Sequence, residues 1–127
     1  MIAHLSLGVA DLERARRFYD AVLPTLGYAR VYEVDGGHGY GAKPDTPVFW
    51  INLPLDESRA VAASNGTHVA FAAPSRKSVD EFHAAALHHG ARDNGKPGLR
   101  DYSPTYYAAF VFDPDGHAIE AVCFEPE

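Results

Sequence analysis

Cysteine occurs once, at Cys123, so the chain has no internal disulfide and no thiolate cluster to hold a metal. That usage fits a reducing compartment, and a cytoplasmic protein is expected. No apolar run approaches the ~20 residues a membrane-spanning helix needs, and the first residues lack a basic stretch followed by an apolar one. Positive charge is also scarce, because 11 Lys and Arg face 17 Asp and Glu for a formal charge of -6. The densest basic run, Arg14, Arg16 and Arg17, is interleaved with Asp11, Glu13 and Asp20, which reads as a solvated helix face. No nucleic-acid or membrane partner is therefore expected. A length of 127 residues supports one compact core and is short for two independent domains.

What is present centres on Phe112 to Val122. Pro114-Asp115-Gly116 is a turn with a mechanism: proline fixes φ, aspartate bonds its own backbone, and glycine accepts the positive φ of a tight reversal. Tyr106 to Phe112 runs in as a strand and His117 to Phe124 runs out. On the outgoing strand Ala118, Glu120 and Val122 share one face while Ile119, Ala121 and Cys123 share the other. A buried unpaired carboxylate costs several kcal/mol, so Glu120 must be exposed, ion-paired or bound to a metal.

Taken in order, Ile2 to Ala10 reads as a strand with Leu5, Leu7 and Val9 on one face and His4, Ser6 and Gly8 on the other. Asp11 caps a helix with an apolar stripe of Leu12, Ala15, Phe18, Tyr19, Val22 and Leu26, which Pro24 can end before Gly27. Strands are expected at Tyr28 to Val34, His38 to Ala42 and Val48 to Leu53. Residues 55–65 are polar and small, the expected linker between a first half (about 1–54) and a second (about 66–127). Gly66 to Ala73 is then a strand, and Ser78-Val79-Asp80-Glu81 has the form of a capping box opening a helix that Gly90 stops. Residues 91–105 read as an irregular strand and a long loop. His83, His88, His89 and His117 are expected at the surface.

The order is strand, helix and three strands, given twice. His4 precedes Phe18 by fourteen residues and His68 precedes Phe82 by fourteen, with Leu5, Leu7 and Val9 matching Val69, Phe71 and Ala73. Pro44-Asp45 to Trp50 matches Pro114-Asp115 to Glu120 at an offset of 70, so Trp50 and Glu120 hold equivalent places. If the halves pack about a pseudo-twofold axis, His4, His68, Trp50 and Glu120 converge on one hollow. Three of those four can bind a metal.

These residues resemble the vicinal oxygen chelate superfamily, which includes glyoxalase I, extradiol dioxygenases, fosfomycin-modifying enzymes and bleomycin-resistance proteins. The resemblance rests on His4-Leu5-Ser6-Leu7-Gly8-Val9 with Phe18-Tyr19, on Thr67-His68-Val69-Ala70-Phe71, and on Asp113 through Glu120. It implies an α+β fold of two βαβββ modules in tandem, curved mixed sheets around a shared cavity, a homodimer, and one divalent ion (Fe, Mn, Zn, Ni or Co) on His4, His68 and Glu120. Glyoxalase I usually carries a further ligand where Trp50 stands, and an indole has no lone pair to give. Two His and one carboxylate would leave positions for water or substrate.

Under that resemblance the chain is a glyoxalase- or dioxygenase-like enzyme whose metal binds vicinal oxygens of a small substrate, with lyase, isomerase or dioxygenase chemistry all open. Tyr102, Tyr106 and His38 are candidates to move protons beside Glu120. Trp50, Phe110, Arg100 and Ser6 are candidates to bind substrate, with core packing the competing reading for the two apolar rings and solvent exposure for Arg100. The rival is a bleomycin-resistance-like protein that binds a small molecule without catalysis.

Overall fold

The computed structural model describes residues 1–127. The first repeat runs β1 (Leu5–Gly8), α1 (Leu12–Val22), β2 (Ala29–Val34), β3 (Gly37–Gly41) and β4 (Phe49–Asn52), with a 3₁₀ turn at Leu23–Leu26 between α1 and β2. The second runs β5 (His68–Ala72), α2 (Arg76–His88), β6 (Arg92–Leu99), β7 (Tyr107–Phe112) and β8 (Ala118–Cys123). Each forms its own four-stranded mixed sheet, in the orders β1-β4-β3-β2 and β5-β8-β7-β6. No helix is long and apolar enough to cross a membrane.

Local chemistry sets the ends of the helices. Asp11 takes extended backbone and its carboxylate accepts from Arg14 N, satisfying one orphan donor of α1. Pro24 then tightens the chain into the 3₁₀ turn, as the sequence allowed. The second helix starts earlier than expected. Its cap is Ser75, which accepts from Ser78 N while the Ser78 hydroxyl accepts from Ser75 N, so the box is Ser75/Ser78 rather than one opening at Ser78.

The repeat is exact in pairing. Ser6 stands opposite Trp50 in the parallel β1–β4 pair, and Ala70 opposite Glu120 in the parallel β5–β8 pair, at the offsets read from sequence. The helix-facing sides of both sheets, including Phe49 and Ile51 from one and Val111, Ile119 and Ala121 from the other, join one 19-residue apolar core with α1 and α2. Phe71 of β5 ties the repeats together, its ring 5.0 Å from Phe49 and 6.2 Å from Tyr28.

The reversal between β7 and β8 is a second tie. Asp113 Oδ1 accepts from the backbone of Asp115 and His117, and Asp113 Oδ2 accepts from Tyr19 of α1 at 2.6 Å. Asp115 Oδ1 accepts from Ala10 N and from Arg14. His117, expected at the surface, donates from Nε2 to Gly8 O at 2.7 Å. His83 also departs from expectation: it is buried in α2, where it meets Asp93 of β6 at 2.9 Å. A helix face turned to its own sheet claims a polar residue when the neighbouring strand supplies an acceptor.

Candidate functional site

Glu120 projects from the face of β8 opposite the core, between Ala70 of β5 and Phe110 of β7. It is 1% exposed, so its carboxylate needs donors. His68 meets Oε1 from Nε2 at 3.0 Å, with the Nε2 proton as donor, and Tyr106 donates to Oε2 at 2.5 Å. Burial first, and then the bond to Glu120, push the Tyr106 phenol up to about 12, so it stays a proton donor at neutral pH. His68 is half exposed and opens the centre to solvent.

The neighbouring side chains come from two rows across the same sheet. Arg92, Phe112, Ala118 and His68 lie in register across β6, β7, β8 and β5, and Gly95, Phe110, Glu120 and Ala70 form the next row. A pocket of about 470 Å³ opens over part of these rows, lined by Phe110, Phe112, Ala118 and His68, with Ser64, Asn65, Thr67 and Asn94 around it. These four polar residues were not legible as site residues. Ser64 and Asn65 sit in the expected linker and Asn94 in the irregular strand, where neither periodicity nor a motif marks them, while Thr67 lies in the motif around His68 but was given no role of its own.

Other candidates fall elsewhere. Tyr102 is 72% exposed and touches the centre only through Tyr106, edge-on with centroids 4.9 Å apart. Arg100 lies over Phe110, 5.2 Å from the ring centroid. Ser6 and Trp50 share the corresponding face of the first sheet, in a separate hollow with Val34 and Asn52. There the indole lies across Gly39 and reaches Tyr32 at 6.0 Å. His38 alternates to the opposite face, beside Tyr40, and its Nδ1 is 3.2 Å from Glu33, so it does not join the centre.

His4 does not join His68 and Glu120 either. It precedes β1, exposed, and is the one residue that is not hydrophobic around a cavity of about 270 Å³ where β1 faces Val69 to Ala72 of β5. The two edge strands share no ladder bonds, so nothing draws His4 toward His68. No three His, Cys, Asp or Glu side chains of the chain stand close enough together to hold a metal ion. A single chain thus offers two ligand atoms, Oε1 of Glu120 and, in the tautomer that carries its proton on Nδ1 instead, Nε2 of His68, and a structural or catalytic ion wants at least three.

The model of the Glyoxalase/Bleomycin resistance protein/Dioxygenase superfamily matches residues 1–121. Among solved structures, a glyoxalase/bleomycin resistance protein from Albidiferax ferrireducens T118 is 34% identical, with a TM-score of 0.84 and 98% of each chain covered. A glyoxalase-related enzyme from Fulvimarina pelagi is 23% identical, with a TM-score of 0.73 and 97% of this chain and 87% of that one covered. The fosfomycin resistance protein FosX from Mesorhizobium loti shares the fold at 19% identity, with a TM-score of 0.66 over 97% of this chain and 91% of its own. No curated protein matches the chain. With residues 1–121 matched by that model and two βαβββ units repeated in register, the chain belongs to the glyoxalase/bleomycin resistance protein/dioxygenase superfamily.

Proposed function

We propose that this protein is an enzyme acting on a small molecule with vicinal oxygens, with Glu120, His68 and Tyr106 as its reacting centre. The observation that carries the reading is a buried carboxylate on the sheet face turned away from the core, held by one tyrosine and by a histidine that lines a pocket. His68 and Glu120 would supply two ligands of a divalent ion and His4 of a second copy the third, which makes the homodimer part of the site. Such an ion supplies Lewis acidity toward vicinal oxygens. Tyr106, protonated at neutral pH, orients the Glu120 carboxylate and can hand a proton to substrate oxygen. Phe110 and Phe112 exclude water from one side of the bound molecule.

Metal content by mass spectrometry on untagged protein tests this. The expected result is near one equivalent of Fe, Mn, Ni, Co or Zn per chain, lost in a His68→Ala/Glu120→Ala variant and in His4→Ala. Mixing His4→Ala chains with Glu120→Ala chains should restore part of the metal, because each mixed dimer regains one complete ligand set. Full occupancy in His4→Ala would remove His4 from the set. No metal after incubation with each ion would leave the rival reading, a bleomycin-resistance-like binding protein. That rival is favoured by one observation: both Glu120 oxygens already have donors inside the chain.

A further inference from the structure

The distribution of ion pairs is uneven. The chain has eight arginines, and six of them, Arg14, Arg16, Arg17, Arg30, Arg59 and Arg76, have a carboxylate within 4.0 Å. The two without one are Arg92 and Arg100. In a chain with an excess of acid, leaving these two unpaired is unexpected by composition alone. Neither lines the pocket described above, but each stacks on one of its rings, Arg92 at 4.7 Å from the centroid of Phe112 and Arg100 at 5.2 Å from that of Phe110, and Arg100 opens onto an adjacent hollow with Asp101, Ser103 and Pro104.

Arg100 is seated. Its Nη1 donates to Gly98 O at 2.9 Å and its Nη2 to Lys96 O at 2.7 Å, so neutral carbonyls fix its plane and leave its charge uncompensated. The seat needs the absence of a side chain on β6. A Cβ at Gly95 would lie 3.1 Å from both Arg100 Nη2 and the Phe110 ring. Of the nearby acids, Asp93 is engaged with His83 and Glu120 with His68 and Tyr106, while the exposed Asp101, which shares the adjacent hollow, makes no ion pair with Arg100.

We infer that the ligand of this pocket is a small carboxylate with a flat apolar part, its ring on Phe110 and Phe112 and its carboxylate reaching past the pocket's edge to Arg100, which stacks on Phe110, with Arg92 adding long-range attraction. The inference rests on the function proposed above for the location of the site, but not on the metal. A planar guanidinium held by two carbonyls and a ring is pre-organised for the two parallel bonds a carboxylate can accept, which a lysine cannot offer.

The probes are salicylate, a flat ring with a carboxylate and an adjacent hydroxyl, and salicylamide, its neutral twin. Calorimetric titration of the whole protein, once with chelator and once after incubation with zinc, should show salicylate binding at least roughly tenfold more tightly than the amide, the worth of one charge-assisted contact. Arg100→Gln should abolish that preference, and Arg59→Gln, on a distant exposed loop, should keep it. Arg100→Lys retains the charge and loses the fork, so an intermediate preference is expected should the glutamine variant fold poorly. Equal affinity for the two probes, a preference that survives Arg100→Gln, wild-type affinity in Arg100→Lys, or no saturable binding of salicylate would each overturn the inference. Zinc uptake that is unchanged in Arg100→Gln separates this outcome from the fate of the metal reading.

Discussion

Each oxygen of the Glu120 carboxylate has one donor from the chain, and the two donors come from different strands and loops: His68 opens β5, and Tyr106 precedes β7. Removing either leaves a buried acceptor without a partner. Tyr106→Phe is expected to lower unfolding free energy by about 1–3 kcal/mol, measured by urea denaturation, since the ring stays and only the hydroxyl goes. With its phenol pushed up to about 12, Tyr106 remains a donor through the neutral and mildly alkaline range. Any activity that needs that proton should therefore be level there and fall only as pH nears that value. Strand alternation was enough to put Glu120 and Val122 on one face and Ile119, Ala121 and Cys123 on the other. It could not show that Tyr106, before the strand, reaches back to the carboxylate.

At the scale of elements, α2 is tied to β6 through His83 and Asp93. The bond from His83, and then the one from Gly95 N, hold the Asp93 carboxyl below its ordinary range. The sign follows from linkage: a depressed carboxyl contributes stability that is present above the unfolded pKa of ~3.9 and is lost as pH falls through the lower folded value. Asp93→Asn should thus lower the melting temperature at neutral pH, and the gap to the native chain should close in acid below that point. Thermal melts along a pH series read this directly. The reversal between β7 and β8 is likewise an element with two duties. Its turn residues were legible as a turn, but Asp113 and Asp115 also grip Tyr19, Arg14 and Ala10 of the first repeat. Burial raises the Asp113 carboxyl, the bond from Tyr19 opposing that rise, and burial likewise keeps the Tyr19 phenol far above its usual range.

For the molecule as a whole, the shared core predicts that the two repeats unfold together. Phe71→Ala empties the junction with Phe49 and Tyr28 and should cost about 3–5 kcal/mol. The sole tryptophan, Trp50, sits in the first repeat, so its fluorescence reports on one half while circular dichroism reports on both. Coincident urea transitions, shifted together by Phe71→Ala, are the expected outcome. A Trp50 transition unmoved by that substitution would show that the repeats melt separately.

The sequence by itself determined the repeat, the two helices and most strands, because hydrophobic period, caps and turn residues act over a few neighbours and need nothing from distant parts of the chain. Its offsets of 64 and 70 were enough to make Trp50 the equivalent of Glu120 and His4 that of His68, and the pairing of Ser6 with Trp50 and of Ala70 with Glu120 in the structure follows the same offsets. Equivalence in a repeat does not place two residues in one hollow, however. Whether His4 meets His68 depends on how two sheet edges approach, and here β1 and β5 leave a cavity between them instead of a ladder. The burial of His83, the seat of Arg100 on Gly95 and Phe110, and the polar rim from Ser64 to Asn94 were likewise decided by tertiary structure. Each depends on a contact between segments that local propensity cannot bring together.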